Sequence, residues 1–332
     1  MKHVIIAGAG AIGNYLGLQL YKAGVRVTFL GSTRIANAVK RNGLIFEYPD
    51  DRFERYVAGQ LAFTTDPHCV ADADLVIITV KSLVTDSLIQ QLQPHLSPAT
   101  TVLTLQNGVS NAATLQQAFR RNTVLAGMVT FNVIEKSCAA DAPTVFRLTT
   151  HGEVYLQKHT PSLLPLFEQA HCAAKELDNI DSILWSKLLL NLINPLNALS
   201  GKSLKENLQD HAFRLQWAAC MREGLAVLKA AGIKPAKVTP LPPRLLPFMV
   251  SLPNWIYLFL AKNMTDMDPT AKSSMAQDME KGKPTEIDYL SGEIIRLGKK
   301  VGVPTPENEK VYQAVVAYTP RPHCNTYPLE TL

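Results

Sequence analysis

The sequence predicts an α/β domain followed by an all-helical one, and three observations carry that prediction. Short β-branched runs alternate with helical patterns through the first half of the chain, a glycine-rich turn follows the first of those runs, and beyond about residue 178 the texture changes to long helical stretches. Alternation of this kind implies βαβ units around a parallel sheet. At 332 residues the chain exceeds the size that one hydrophobic core usually serves, so two domains are expected, 1–178 and 179–332.

Strands are expected at 4–7, 25–30, 75–80 and 102–106, each a run of β-branched and aliphatic residues. In the second half, helical patterns cover roughly 182–200, 206–231, 269–281 and 285–300. The last dozen residues, "RPHCNTYPLETL", read as loosely held.

The apolar fraction of 47% suffices for globular cores. Net charge is +5, but Lys and Arg are scattered in ones and twos, which argues against a nucleic-acid partner and suits an anionic small molecule. Five cysteines at 69, 138, 172, 220 and 324 form no CxxC pair, and no His is spaced to complete a metal site, so no metal is expected and reduced thiols point to the cytoplasm. Residues 245–261, "LLPFMVSLPNWIYLFLA", are apolar, yet Pro247 and Pro253 would break a helix already short for a membrane span. A packed arm or hydrophobic cover is expected there, not a membrane anchor.

"VIIAGAGAIGNYLG", residues 4–17, places Gly8, Gly10 and Gly13 in G-x-G-x-x-G spacing between a strand and a helix. That context is the dinucleotide-binding fingerprint of a Rossmann-type domain. Gly8 permits the tight turn, Gly10 lets backbone approach a pyrophosphate, and Gly13 lets helix and strand pack closely. The amides of Ala11 and Ile12 at the helix start then face the phosphates. The same spacing makes the start of the chain a strand and loop, although a Lys before an apolar run also suits a leader.

The second strand should end beside the adenosine ribose, where NAD sites usually carry an Asp or Glu. This chain reads "GSTR". Ser32 and Thr33 offer hydroxyls and Arg34 a planar charged fork, a set suited to a 2′-phosphate and hence to NADP(H). Lys81 and Asn107 stand at two further strand ends that face the ligand crevice of such sheets. By position alone, Lys81 also reads as a solvated strand-end lysine and Asn107-Gly108 as a turn.

In "DSILWSKLLLNLINPLNALSG", Lys187, Asn191 and Asn194 recur at i, i+4 and i+7, one polar stripe on an apolar helix. Pro195 withholds a donor from the Asn191 carbonyl and is positioned to kink the helix there. A solvent-facing stripe is the plainer alternative. Farther on, Asp268 and Pro269 resemble a cap and first helical residue. Thr285 with Asp288 forms a capping-box pattern that puts Glu286 in the first turn of the next helix. Ser273 and Ser274 read as ordinary helix-surface serines.

Together, "GAGAIGNYLG", the strand-end "VK" and "LQNGV", "WSKLLLN" with "NPLNAL", and "SSMAQDMEKGKPTEIDYLSGEI" resemble the ketopantoate reductase family over nearly the whole chain except its C-terminal tail. The last segment is the most specific. The resemblance implies an NADPH-binding Rossmann domain, an all-helical domain and a 2-keto acid substrate between them. It implies Lys187 as general acid, Asn191 and Ser274 as substrate-binding, Glu286 contacting cofactor and substrate, and Asn107 near the nicotinamide. Two places depart from the pattern. The family's second helix asparagine lies eight residues after the lysine, whereas Asn194 lies seven after Lys187, and an Arg is common where Ser32 stands.

The residue types suit that chemistry: hydride delivery to a ketone builds negative charge on oxygen, which an ammonium stabilises and protonates. A lysine at its ordinary pKa near 10.4 is already charged at neutral pH, so placement is its main requirement. A reductase of ketopantoate is therefore expected. The alternatives are a dehydrogenase for another branched 2-keto acid and a non-catalytic NADPH-binding regulator, and a homodimer is left open.

Overall fold

The computed structural model describes residues 3–136, 142–261 and 268–318. Cys138, Cys324 and the final dozen residues lie outside them. The chain divides into two compact units, Met1–Ile180 and Asp181–Leu332.

Among the described residues the first unit carries twelve strands: β1 (His3–Ala7), β2 (Arg26–Leu30), β3 (Leu44–Glu47), β4 (Phe53–Tyr56), β5 (Ala62–Thr64), β6 (Leu75–Ile78), β7 (Thr101–Thr104), β8 (Val124–Val129), β9 (Asn132–Lys136), β10 (Thr144–Thr150), β11 (Val154–Gln157) and β12 (Ala174–Leu177). Its helices are α1 (Ala11–Lys22), α2 (Thr33–Asn42), α3 (Thr85–Leu92), α4 (Asn111–Ala118) and α5 (Leu164–Gln169). Eight strands form one sheet in the order β12-β11-β8-β7-β6-β1-β2-β5, parallel from β8 to β5, with β11 antiparallel to β8. The remaining four form a second sheet, β4-β3-β10-β9.

Central strands of a parallel sheet are covered on both faces and so read as unbroken apolar runs. Every residue of "HVIIA" in β1 and "LVII" in β6 is buried accordingly. Alternate side chains enter separate cores: Val4 and Ile6 join Leu16, Leu20 and Phe29, while Ile5 and Ala7 join Val76, Ile78, Leu92 and Leu115. The third expected strand stops at Ile78, and the Thr79 hydroxyl that follows donates to the Gly8 carbonyl at 2.7 Å.

The second unit is helical: α6 (Asp181–Asn191), α7 (Ile193–Ser200), α8 (Leu204–Gln209), α9 (His211–Ala230), α10 (Leu246–Val250), α11 (Asn254–Leu260), α12 (Ser274–Glu280), α13 (Ser291–Val301) and α14 (Pro306–Ala317). Several boundaries correct the sequence expectations. The helix expected over 182–200 breaks at Leu192, three residues before Pro195, whose ring nitrogen has no hydrogen for the Asn191 carbonyl. The one expected over 206–231 breaks at Asp210, which is extended and accepts from the Ala212 and Phe213 amides.

Asp268 does not cap a helix. Its carboxylate accepts from the Thr270 amide and hydroxyl, and α12 begins only after Ser273, whose hydroxyl accepts from the Ala276 amide. The Thr285–Asp288 capping box does not form either, because Asp288 accepts from the Tyr312 hydroxyl at 2.7 Å. Glu286 therefore precedes a 3-10 turn, Ile287–Tyr289, rather than lying in an α-helical first turn.

The apolar stretch 245–261 is an arm anchored by Arg214. This arginine, fully buried, donates to the Val250 and Leu252 carbonyls at 2.6 and 2.8 Å and to the Asn254 side chain, and stacks 4.0 Å over Tyr257. The arm buries Leu246, Met249, Val250 and Tyr257 and leaves Phe248, Trp255 and Phe259 exposed. Among the described residues no helix is long and apolar enough to cross a membrane.

Candidate active site

In the first unit the glycine loop is built for close approach. Gly8 has φ +116°, and a Cβ there would meet the Val80 backbone; a Cβ on Gly13 would overlap the Gly8 carbonyl and the Thr79 hydroxyl. Gly10 differs, since its Cβ would enter open space with no atom within 4 Å. Asn14, fully buried, donates to the Ala9 and Gly10 carbonyls at 2.7 and 2.8 Å and so ties the loop to α1. Sequence reasoning did not single out Asn14, although it directly follows the third glycine.

The start of α1 has no side-chain cap and no acid in its first turn, which leaves the amides at Ala11 and Ile12 without a competing carboxylate. Helix N-termini in that condition bind phosphate. The loop thus fits the pyrophosphate of a dinucleotide.

At the end of β2, Ser32 caps α2, accepting from the Ile35 amide at 3.5 Å, and is exposed. Arg34 is exposed too, and its guanidinium is already engaged: Nη1 and Nη2 donate to the two carboxylate oxygens of Glu135 at 2.5 and 2.8 Å. No local pattern points to that partner, which is 101 residues away.

Lys81 is exposed at the turn after β6, and Asn107 is half-buried after β7. The Asn107 carbonyl accepts from the Ser82 hydroxyl at 2.9 Å and the Asn111 amide at 2.6 Å. Gly108 follows at φ +95°, so the turn reading of Asn-Gly holds while both hydrogen bonds fix the loop.

In the second unit Lys187, Asn191 and Asn194 are half-buried, so the stripe is not the solvated face of the plainer alternative. The α6–α7 break puts Asn194 on a different helix from Lys187 and Asn191. Burial lowers the Lys187 pKa to about 8, and the Glu286 carboxylate works against that by favouring the ammonium. The ordinary value near 10.4 assumed from sequence is thereby corrected, yet the group remains mostly charged at neutral pH. Two residues 99 positions apart are within electrostatic reach.

Ser274 is exposed at the start of α12, whereas Ser273 is buried, so only the former matches the surface reading. The Ser273 hydroxyl donates to the Asn194 carbonyl at 3.2 Å, and its amide donates to Asn197 Oδ1 at 2.9 Å. Asn197, fully buried, donates in turn to the Lys202 carbonyl and to Asn207 Oδ1 at 2.9 and 2.6 Å. The start of α12 is therefore fastened to α7 by a polar network that carries Ser274.

A glycine loop on a parallel sheet, joined in one chain to a helical unit with a half-buried lysine within electrostatic reach of a carboxylate, is the arrangement of an oxidoreductase of the dinucleotide-fold class. Comparison with known proteins sharpens this. The family Ketopantoate reductase PanE/ApbA matches residues 4–161, and its C-terminal counterpart matches residues 179–319. A PanE/ApbA family ketopantoate reductase from Ralstonia eutropha JMP134 is 30% identical, with a TM-score of 0.80 over 95% of this chain and 97% of its own. The 2-dehydropantoate 2-reductase of Vibrio cholerae is 26% identical over 94% of this chain and 96% of its own. D-mandelate dehydrogenase, solved with NADH and anilino(oxo)acetate, shares the fold at TM-score 0.79 and 23% identity, covering 95% of this chain and 98% of its own. The chain belongs to the ketopantoate reductase family.

Proposed function

We propose that this chain reduces 2-dehydropantoate (ketopantoate) to pantoate with NADPH, in pantothenate biosynthesis, with Lys187 as general acid. The observation that carries this reading is the half-buried Lys187, whose ammonium the Glu286 carboxylate favours against the effect of burial, within a family of ketopantoate reductases.

Gly8, Gly10, Gly13 and the amides of Ala11 and Ile12 would hold the pyrophosphate, with Ser32 and Arg34 toward the adenosine end, Lys81 as a further cofactor contact and Asn107 toward the nicotinamide. Bound there, the cofactor supplies the hydride. Lys187 Nζ stabilises the oxyanion that develops at the substrate ketone and passes its proton to that oxygen. Glu286 keeps the ammonium charged until transfer and orients the forming hydroxyl. The amides of Asn191 and Asn194 and the Ser274 hydroxyl hold the substrate's carboxylate and hydroxyl without adding competing charge.

The test is turnover of ketopantoate against 2-ketoisovalerate, each with NADPH and with NADH. A clear preference for ketopantoate and NADPH supports the reading. Faster turnover of 2-ketoisovalerate would make the chain a dehydrogenase for another 2-keto acid, the second reading that the D-mandelate dehydrogenase likeness keeps in view. No turnover of either, with NADPH still bound, would favour the regulatory alternative.

A further inference from the structure

The strand-end segment Gly31–Arg34 contains no acid, yet the folded chain places one there. Glu135 comes from β9 in the second sheet, where it lies opposite Phe146 of β10, and its carboxylate takes both terminal nitrogens of Arg34. The Arg34 side chain is 65% exposed and that of Glu135 33%, so the pair is open to a ligand without rearrangement of the core. In open α/β sheets, the ribose of a bound dinucleotide lies just beyond this strand end.

We infer that Glu135 is a specificity-determining residue that sets how strongly the chain distinguishes a 2′-phosphate from a 2′-hydroxyl; the inference rests on the assignment of Arg34 to the adenosine end of NADPH. Guanidinium forks bind carboxylate and phosphate in the same two-pronged geometry, so the two anions compete for one donor pair. A 2′-phosphate either displaces Glu135 from the Nη1/Nη2 pair or takes the remaining N–H groups of Arg34, and in both cases it lies beside a like charge. A 2′-hydroxyl has no such conflict, because it donates to Glu135 while Arg34 stays paired. Glu135 therefore narrows the preference for NADPH.

The experiment measures dissociation constants of NADPH, NADH, 2′,5′-ADP and 5′-ADP by fluorescence or calorimetric titration for the unmodified protein, Glu135→Gln and Arg34→Ala. Glutamine keeps the size and hydrogen-bonding capacity of the side chain and removes its charge. Exposed ion pairs contribute little to stability, so the variant should fold normally. NADPH and 2′,5′-ADP should bind Glu135→Gln about tenfold more tightly, while NADH and 5′-ADP change by less than about threefold. Unchanged NADPH affinity, or an equal shift for all four ligands, overturns the inference. The two assignments fail separately. Weaker NADPH binding by Arg34→Ala with no effect of Glu135→Gln supports the Arg34 assignment and overturns the role of Glu135. Equal NADPH and NADH affinity in the unmodified protein, with NADPH binding alone tightened in Glu135→Gln, overturns the NADPH preference and supports the role of Glu135.

Discussion

The backbone amide of Ser273 donates to Asn197 Oδ1 at 2.9 Å, across 76 residues of sequence, and so couples the start of α12 to the middle of α7. Asn197 also donates to Asn207 and to the Lys202 carbonyl, and Ser200 donates to the same Asn207 oxygen at 2.9 Å. Truncating Asn197 takes this partner from the Ser273 amide and the Lys202 carbonyl and leaves Asn207 Oδ1 to Ser200. Asn197→Ala should therefore cost about 2–4 kcal/mol in denaturant unfolding. Because Ser274 rides on the same helix start, KM for the keto acid should rise more than kcat falls. A variant of unchanged stability and KM would show that the network positions nothing.

Lys187→Met separates a working acid from a lysine with no part in turnover. Turnover should fall by about 10²–10⁴-fold while NADPH still binds. Thermal stability at pH 7 should rise by about 1–3 kcal/mol, since the cost of desolvating a half-buried ammonium is removed. Near-normal kinetics in the folded variant would refute the proposed mechanism.

The pH dependence follows from the direction of the Lys187 shift. The donor must be protonated, so turnover should decline as pH rises through about 8, the folded-state value. Burial lowers this pKa below the unfolded value near 10.4, so between the two the unfolded chain holds more protons and stability gains with rising pH. The stability deficit of the native protein against Lys187→Met should be full below pH 8 and shrink toward pH 10. Glu286→Gln removes the charge that favours the ammonium and should move the alkaline limb of the activity profile to lower pH. A limb that stays in place would exclude that coupling.

Alanine scanning of the glycine loop should divide structure from binding. Gly13→Ala drives a methyl group into the Gly8 carbonyl and should destabilise the fold by about 2–4 kcal/mol. Gly10→Ala meets nothing in the fold, and Gly10 has an ordinary φ of −84°, so stability should change by no more than about 1 kcal/mol. Dinucleotide affinity should nevertheless drop at least about tenfold, because the added methyl group occupies the path of the pyrophosphate. Calorimetric titration of both variants checks the contrast.

What sequence reading recovered was set by the range of the interactions concerned. The glycine loop and central strands were legible because their requirements are local: positive φ at Gly8, no room for a Cβ at Gly13, unbroken apolar runs in β1 and β6. The polar stripe of Lys187 and Asn191 was legible from helical spacing, but the lysine's lowered pKa was not, because burial and Glu286 come from the tertiary fold. Two helix boundaries failed where a distant partner overrode a local signal. Tyr312 takes Asp288 away from its capping pattern, and Asn197 fixes Ser273 as the cap that Asp268 resembled. Glu135 was invisible beside Arg34 for the same reason.

The shifted amine of Lys187 also changes what the side chain does toward electrophiles. At pH 8 a lysine at its ordinary value is neutral in only about 0.4% of molecules, whereas one with a pKa of about 8 is neutral in about half. A neutral amine attacks carbonyl and acyl carbon, so mild acylating reagents near pH 8 should mark Lys187 ahead of lysines at the ordinary value. Under the proposed mechanism the same lone pair would also condense with a bound keto acid, losing water to form an imine, and Glu286, by favouring the ammonium, would suppress that side reaction.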